Sequence, residues 1–210
     1  MSLRLEDVQI KLDKKSLFDP ISCLVKDGQC LTLMGPSGAG KSSLLDYIGG
    51  GLSRDFTASG KVYVDEVSVE RWPAETRRIG ILYQDDLLFP HMNVAQNLSL
   101  GISAEIKGIE RKLRIKQALK DANLEGFEKR DPARLSGGQR ARVSCMRMLL
   151  SEPRALLLDE PFSKLDQELR ERFRGFVFGR AMDLKLPMIM VTHDPADAKA
   201  ANGPVIEIGA

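Results

Sequence analysis

The run Gly35-Pro36-Ser37-Gly38-Ala39-Gly40-Lys41-Ser42 constrains this chain more than any other stretch. It satisfies the pattern GxxxxGK[ST], which average composition would produce by chance in only about one in a hundred chains of this length. Its surroundings fit as well. Cys30-Leu31-Thr32-Leu33-Met34 is a short, nearly continuous apolar run of the kind a buried parallel strand requires, and a helix is expected from about Lys41 to Ile48, closed by Gly49-Gly50-Gly51. Glycines in such a loop let backbone N–H groups crowd around phosphate oxygens, and the helix start adds its partial positive charge. Lys41 is placed to reach the β- and γ-phosphates of a nucleotide, and the Ser42 hydroxyl to ligate Mg²⁺. The expected phosphate contacts are therefore Gly35, Pro36, Ser37, Gly38, Ala39, Gly40, Lys41, Ser42 and the following Ser43.

The remaining pattern is that of an α/β protein. Two strands, around Leu3 to Val8 and Ile21 to Val25, flank a charged turn at Asp13-Lys14-Lys15 and predict an antiparallel layer. Further strands are expected at Lys61 to Val64 and Ile79 to Tyr83. From about Val94 to Leu150 the strand signal fades, and Leu113, Ala118, Leu119 and Ala122 recur at near-helical spacing among basic residues, which predicts an inserted helical lobe. Alternation then returns: strand Ala155 to Leu158, helix from about Gln167 to Asp183, strand Met188 to Val191, helix Pro195 to Ala201, strand Val205 to Ile208. Strands alternating with helices imply a mainly parallel sheet covered on both faces. With 210 residues, this predicts one domain: a nucleotide-binding core over 1–84 and 151–210, and a helical subdomain over about 85–150.

Several classes are disfavoured. Basic residues number 31 against 29 acidic, so charge alone does not call for a polyanion partner, and no nucleic acid is expected. Apolar runs fall far short of the roughly 18 residues of a bilayer span. The amino terminus has no apolar signal core. Cys23, Cys30 and Cys145 form no CxxC pair and leave an odd thiol, which argues for core filling rather than disulfides or zinc.

Two further stretches carry chemistry. Ala155 to Leu158 ends in Asp159-Glu160, so two carboxylates emerge where open α/β sheets bind ligands. Asp159 is expected to hold Mg²⁺ and Glu160 to act as general base on an attacking water. Leu135-Ser136-Gly137-Gly138-Gln139 precedes a helical pattern, so Ser136, Gly137, Gly138 and Gln139 form a second anion-binding helix start. Two such starts about a hundred residues apart suggest a dimer in which each ATP lies between one subunit's loop and the other's serine cap.

With these motifs the chain resembles the nucleotide-binding subunit of an ATP-binding cassette (ABC) transporter over nearly its whole length. Leu135 to Gln139 matches that family's signature, Gln84 its Q-loop, Ser163-Lys164-Leu165-Asp166 its D-loop and His193 its switch histidine, all in family order. Pro161-Phe162-Ser163 is similar to the bacterial importer branch, including thiamine-type uptake ATPases. The resemblance implies a P-loop NTPase core with a mainly parallel sheet, an antiparallel β subdomain and an inserted α-helical subdomain. It implies catalytic roles for Glu160, His193 and Gln84, Mg²⁺ held by Ser42, Gln84 and Asp159, and communication across the dimer through Asp166. The implied cofactors are ATP and Mg²⁺. The implied partners are a second copy or paired cassette, an integral membrane permease and, for import, a solute-binding protein, with the chain cytoplasmic and peripheral on the inner face of the membrane. Leu87, Leu88 and Phe89, three large apolar residues beside Pro90, are either buried under the helical lobe or exposed as a groove, and their position after Gln84 favours docking of a cytoplasmic permease helix by at least part of Asp85 to His91. The alternative is a soluble ABC-type ATPase acting on nucleic acid or chromosome structure, disfavoured because no long heptad-patterned coiled coil is present.

Two positions depart from the family pattern. Leu12 stands where relatives place an aromatic ring on adenine, leaving an aliphatic wall or the nearby Phe18 for the base. Lys164 occupies a D-loop position usually held by a small residue, a change expected to face solvent.

Overall fold

The computed structural model describes residues 1–209. In chain order its strands and α-helices are β1 (Ser2–Leu12), β2 (Lys15–Ser16), β3 (Ile21–Lys26), β4 (Cys30–Met34), α1 (Lys41–Gly49), β5 (Phe56–Val64), β6 (Val67–Ser68) and β7 (Ile79–Leu82). There follow α2 (Val94–Ser99), α3 (Gly108–Asp121), α4 (Gly137–Leu149), β8 (Ala155–Asp159), α5 (Gln167–Asp183), β9 (Met188–Val191), α6 (Pro195–Ala201) and β10 (Val205–Glu207). These elements form two compact units.

The first unit comprises Met1–Ile81, Arg154–Glu160 and Phe178–Ala210. Its outer sheet is antiparallel, with β1 paired to β2, β3 and β5, and β6 beyond β5. In β1 the buried residues are Leu3 and Leu5, then Val8 and Ile10, so the inward phase changes by one between Glu6 and Gln9. The chain answers with a bulge: the register to both β3 and β5 shifts there and Asp7 takes φ 49°. Gly60 makes room for it on β5. With φ +95°, a Cβ on Gly60 would stand 2.5 Å from the Asp7 carbonyl oxygen and 2.6 Å from the Val8 Cα.

The second sheet runs β10-β4-β9-β8-β7, with β10 on β4, β4 on β9 and β9 on β8 all parallel. Buried leucines, isoleucines and valines from both sheets and from the inner face of α1 form one core, including Leu3, Leu33, Leu44, Ile48, Val62 and Ile189. Cys30 is part of this buried strand set, and burial pushes its thiol up to about 12. Cys23, Cys30 and Cys145 are all free thiols.

The second unit comprises Leu82–Pro153 and Pro161–Val177. It holds α2, α3, α4 and the first part of α5, a stretch within the 151–210 expected in the nucleotide-binding core. Side-chain packing explains the different boundary: Leu169 of α5 lies so close to Gly138 of α4 that a Cβ there would meet it at 2.3 Å, and the Phe173 ring packs edge-on to Phe162 at 5.9 Å between centroids. On α3 the inward residues are Ile115, Ala118 and Leu119, whereas Leu113 faces solvent, a departure from the helical repeat counted through it. Among the described residues no helix is long and apolar enough to cross a membrane.

The bulge offers a test of the fold. Gly60→Ala forces a side chain into the β1 backbone at a positive φ, and should cost about 2 kcal/mol or more. Thermal unfolding should show Tm lowered by roughly 5 °C or more for a chain of this size.

Candidate functional site

Parallel pairing decides what lies beside what. β8, β9 and β4 are successive neighbours with Asp159 opposite Val191 and Val191 opposite Leu33, so the segments after them leave the same edge side by side. These segments are Glu160, Thr192-His193 and the loop opening at Gly35.

Three glycines of the loop have distinct reasons to be glycine. A Cβ on Gly35 would meet the Ile208 carbonyl oxygen at 2.1 Å, and one on Gly40 would meet Leu17 at 2.9 Å and the Phe18 ring at 3.1 Å. Gly38 faces open space with φ +83°. Gly40 caps α1 in the left-handed conformation with no side-chain hydrogen bond to the helix start, and the first turn carries no acid. The first-turn amides therefore keep the positive end of α1 for an anion. Lys41 is only 7% exposed, and its ammonium donates to the carbonyls of Gly35 (2.8 Å) and Pro36 (2.7 Å), so the lysine also braces the loop.

The acids behind the loop form an electron-rich cluster. Ser42 Oγ donates to Asp159 Oδ1 at 3.1 Å. Burial raises the Asp159 pKa; the Ser42 hydroxyl opposes this, the Glu160 charge adds to it and Lys41 opposes it. Asp46, one turn along α1 from Ser42, is raised too, by burial and then by Asp159. A hydroxyl and a carboxylate beside a second half-buried acid are hard oxygen donors short of positive charge, which fits Mg²⁺. Among the described residues no group of three or more His, Cys, Asp or Glu side chains is arranged as a metal cage. Few protein ligands with the rest from phosphate and water is the usual arrangement for Mg²⁺ in nucleotide sites.

Glu160 sits at φ 45° with its N–H donating to the Val191 carbonyl at 3.0 Å, and its Oε2 lies 3.2 Å from His193 Nδ1. The turn bearing His193 is pinned: the buried Thr192 hydroxyl accepts from Asp194 N–H at 3.1 Å and donates to Asp197 Oδ2 at 3.3 Å. A cleft with about 410 Å³ of open space is lined by Lys41, Ser42, Glu160, Gly38, Leu12 and Phe56 among others. Phe18, the ring the sequence offers for a base, is 6% exposed in the core and so closed to a ligand, because it packs under Gly40.

In the second unit, Gln84 is exposed beside a smaller cavity of about 140 Å³ whose lining also includes Gly137, Arg140 and Lys164. Lys164 does not simply face solvent: its ammonium pairs with the Asp85 carboxylate. Ser136 caps α4, its hydroxyl accepting from Gln139 N–H at 3.3 Å while the Gln139 side chain accepts from Ser136 N–H at 3.0 Å. Gln139 thus closes the cap, and of the two glycines read as anion contacts, Gly138 is required by Leu169 while a Cβ on Gly137 would only reach the Arg140 guanidinium at 4.0 Å. Asp166 caps the start of α5 by accepting from Leu169 N–H at 3.0 Å.

The Asp85 to His91 segment is bolted from behind. Fully buried Asn97 accepts from Phe89 N–H at 2.9 Å and donates to the Phe89 carbonyl at 3.1 Å, and Arg147 donates to the Leu87 carbonyl at 3.0 Å. The side chains of Leu87 and Phe89 are left 56% and 44% exposed.

Sequence reasoning missed Asp46, Asn97, Thr192 and Phe56. Asp46 was detectable, since it is four residues from Ser42 on one helix face. The others depend on which strands and loops become neighbours.

A glycine-braced loop entering a helix at the carboxyl edge of a parallel sheet, with acids at the ends of adjacent strands, defines a P-loop nucleoside triphosphatase; its antiparallel β subdomain and helical insert narrow the class further. The profile of the ABC transporter family matches residues 18–163. The chain is 44% identical over 198 residues to the uncharacterized ABC transporter ATP-binding protein YnjD of Escherichia coli (strain K12), covering 94% of this chain and 91% of that one. It is 39% identical over 198 residues to the thiamine import ATP-binding protein ThiQ of Jannaschia sp. (strain CCS1), covering 94% and 84%. A solved structure described as dimeric MJ0796, a bacterial ABC transporter cassette, superposes with a TM-score of 0.79 at 28% identity, covering 98% of this chain and 94% of that one. The chain belongs to the ABC transporter family and is an ATP-binding ATPase of that family.

The raised Asp159 pKa has a measurable consequence. The folded chain holds this proton more tightly than the unfolded chain, so the carboxyl favours folding at acid pH, and that contribution is lost as pH rises from the ordinary aspartate range through the raised folded value. Without nucleotide, Asp159→Asn should melt above wild type at pH 7, with the gap closing towards pH 4, as followed by differential scanning fluorimetry.

Proposed function

We propose that the chain is the energising subunit of a membrane importer, pairing with a second cassette around two Mg-ATP and driving a separate permease from the cytoplasmic face. The observation carrying this reading is the convergence, in one unit, of the braced loop, the Ser42–Asp159 bond and the Glu160–His193 contact. Import is supported by similarity to a relative named for thiamine import. The transported solute belongs to the permease and any solute-binding protein.

In this reading the α1 amides and Lys41 hold the β- and γ-phosphates, with the ammonium exchanging loop carbonyls for phosphate oxygens. Ser42 and Asp159 would hold Mg²⁺, which when bound neutralises charge on the phosphates. Glu160 accepts the proton of a water whose oxygen attacks the γ-phosphorus as the bond to the ADP oxygen breaks. His193 orients the Glu160 carboxylate and faces the γ-phosphate. Gln84 as a ligand of metal and water, the Ser136 to Gln139 cap as a contact to the partner's nucleotide, and Asp166 as a link across the dimer rest on the motif resemblance. ATP favours the paired state because the γ-phosphate is bound by both cassettes, and its loss on hydrolysis removes that differential affinity.

Glu160→Gln keeps the metal and phosphate ligands but removes the base. It should bind Mg-ATP near wild-type strength, turn over at least about a hundredfold more slowly, and accumulate as an ATP-dependent dimer by size exclusion with light scattering. Wild-type turnover in this variant would remove Glu160 from the mechanism.

The exposed Leu87 and Phe89, on a backbone fixed by Asn97 and Arg147, support docking of a permease helix at this segment. Phe89→Ser should retain the melting temperature and the ATPase activity of the isolated chain while losing co-purification with the permease. A variant that still assembles and transports normally would exclude Phe89 from the interface.

A further inference from the structure

The loop, α1 and the sheet edge account for the polar lining of the cleft, and the lining also includes an apolar group, Leu12, Leu17 and Phe56. Leu12 and Phe56 are directly opposed in the antiparallel β1–β5 pair, at the end of one strand and the start of the other. Cross-strand partners share a face of the sheet, so the two side chains stand together and form one wall. Leu17 joins it from the β2–β3 connection, packed against Gly40. Leu12 is 37% exposed and Phe56 is half-buried, so both keep surface for a ligand. Phe56 is the aromatic residue in this lining.

We propose that Phe56 is the nucleobase-stacking residue of this chain, holding the base against Leu12 by ring contact and burial, with no reading of the base edge. The inference rests on the nucleotide reading above and adds the residue and the selectivity that follow from it. Every base has a π face, and base–aromatic stacking is worth about 1–3 kcal/mol by alanine substitution without regard to sequence. Strong discrimination between bases needs hydrogen-bonding groups that the wrong base leaves unpaired. The side chains of Leu12, Leu17 and Phe56 have none. The polar lining residues, Ser37, Lys41, Ser42, Ser43 and Glu160, belong to the loop, α1 and the sheet edge, where the phosphates bind. Ring area therefore sets affinity, and ATP and GTP are held alike while a pyrimidine nucleotide is held less well.

The test is calorimetric titration of the full chain with Mg²⁺ and ATP, GTP, CTP or inorganic tripolyphosphate. Wild type should bind ATP and GTP within about threefold of each other, and CTP more weakly. Phe56→Ala should weaken ATP and GTP about tenfold, equivalent to about 1.4 kcal/mol, and leave tripolyphosphate unchanged. Restoring a ring from the other strand, Leu12→Tyr in the Phe56→Ala background, should recover the lost affinity, which a merely structural role for Phe56 would not allow. Phe56→Leu retains the bulk beneath the cleft and is read in place of Phe56→Ala if melting shows the alanine variant to be unfolded; it should weaken ATP but not tripolyphosphate. Unchanged ATP affinity in the folded variant, equal losses for ATP and tripolyphosphate, or a preference for ATP over GTP beyond about thirtyfold, about 2 kcal/mol, overturns the proposal. Failure of the nucleotide reading itself looks different: Lys41→Ala would then leave both ATP and tripolyphosphate binding intact.

Discussion

A lysine ammonium held almost out of water is the constraint around which the first unit is organised. Lys41 satisfies its charge on two loop carbonyls, Gly35 and Pro36, which fixes the loop's curvature before any ligand arrives. The loop can follow that curve only because Gly35 passes against the Ile208 carbonyl and Gly40 lies on Leu17 and Phe18 without a Cβ. Those contacts in turn need β10 beside β4 and the β2–β3 connection folded under the loop. One buried cation thereby ties the phosphate loop to both sheets.

Charge is deliberately unbalanced beside it. Asp159 and Asp46 are both pushed towards protonation by burial and by neighbouring negative charge, and Ser42 spends its hydroxyl on Asp159. A cation among these oxygens would relieve their mutual repulsion. The positive φ of Glu160 adds backbone strain at the point where the carboxylate meets His193.

The second unit carries exposed apolar surface on a fixed backbone. Its exposed apolar pair, Leu87 and Phe89, is carried on a backbone whose polar groups are satisfied by one buried amide and one arginine. The Lys164–Asp85 ion pair joins the D-loop to the residue after Gln84. Exposed pairs of this type contribute little to stability, typically 0–1 kcal/mol, so its effect is on the relative placement of two loops rather than on folding.

Much of this was legible in the chain itself. The spacing of Gly35 to Ser42 after a run of apolar residues specifies a strand, a loop and a helix because only that order satisfies buried backbone groups on one side and open amides on the other. The acids closing Ala155 to Leu158 and the periods of α1, α5, β8, β9 and α6 were equally local, and α5, β9 and α6 have the expected limits. What local pattern could not carry was adjacency. The order β10-β4-β9-β8 brings Glu160 to His193, the β1–β5 register sets Phe56 against Leu12, and Leu169 makes Gly138 obligatory. Sequence determined which residue types were present and the period of each element, since both depend on neighbours along the chain. Tertiary structure alone decided which side chains meet, because packing joins residues distant in sequence through shape and burial that no single segment contains.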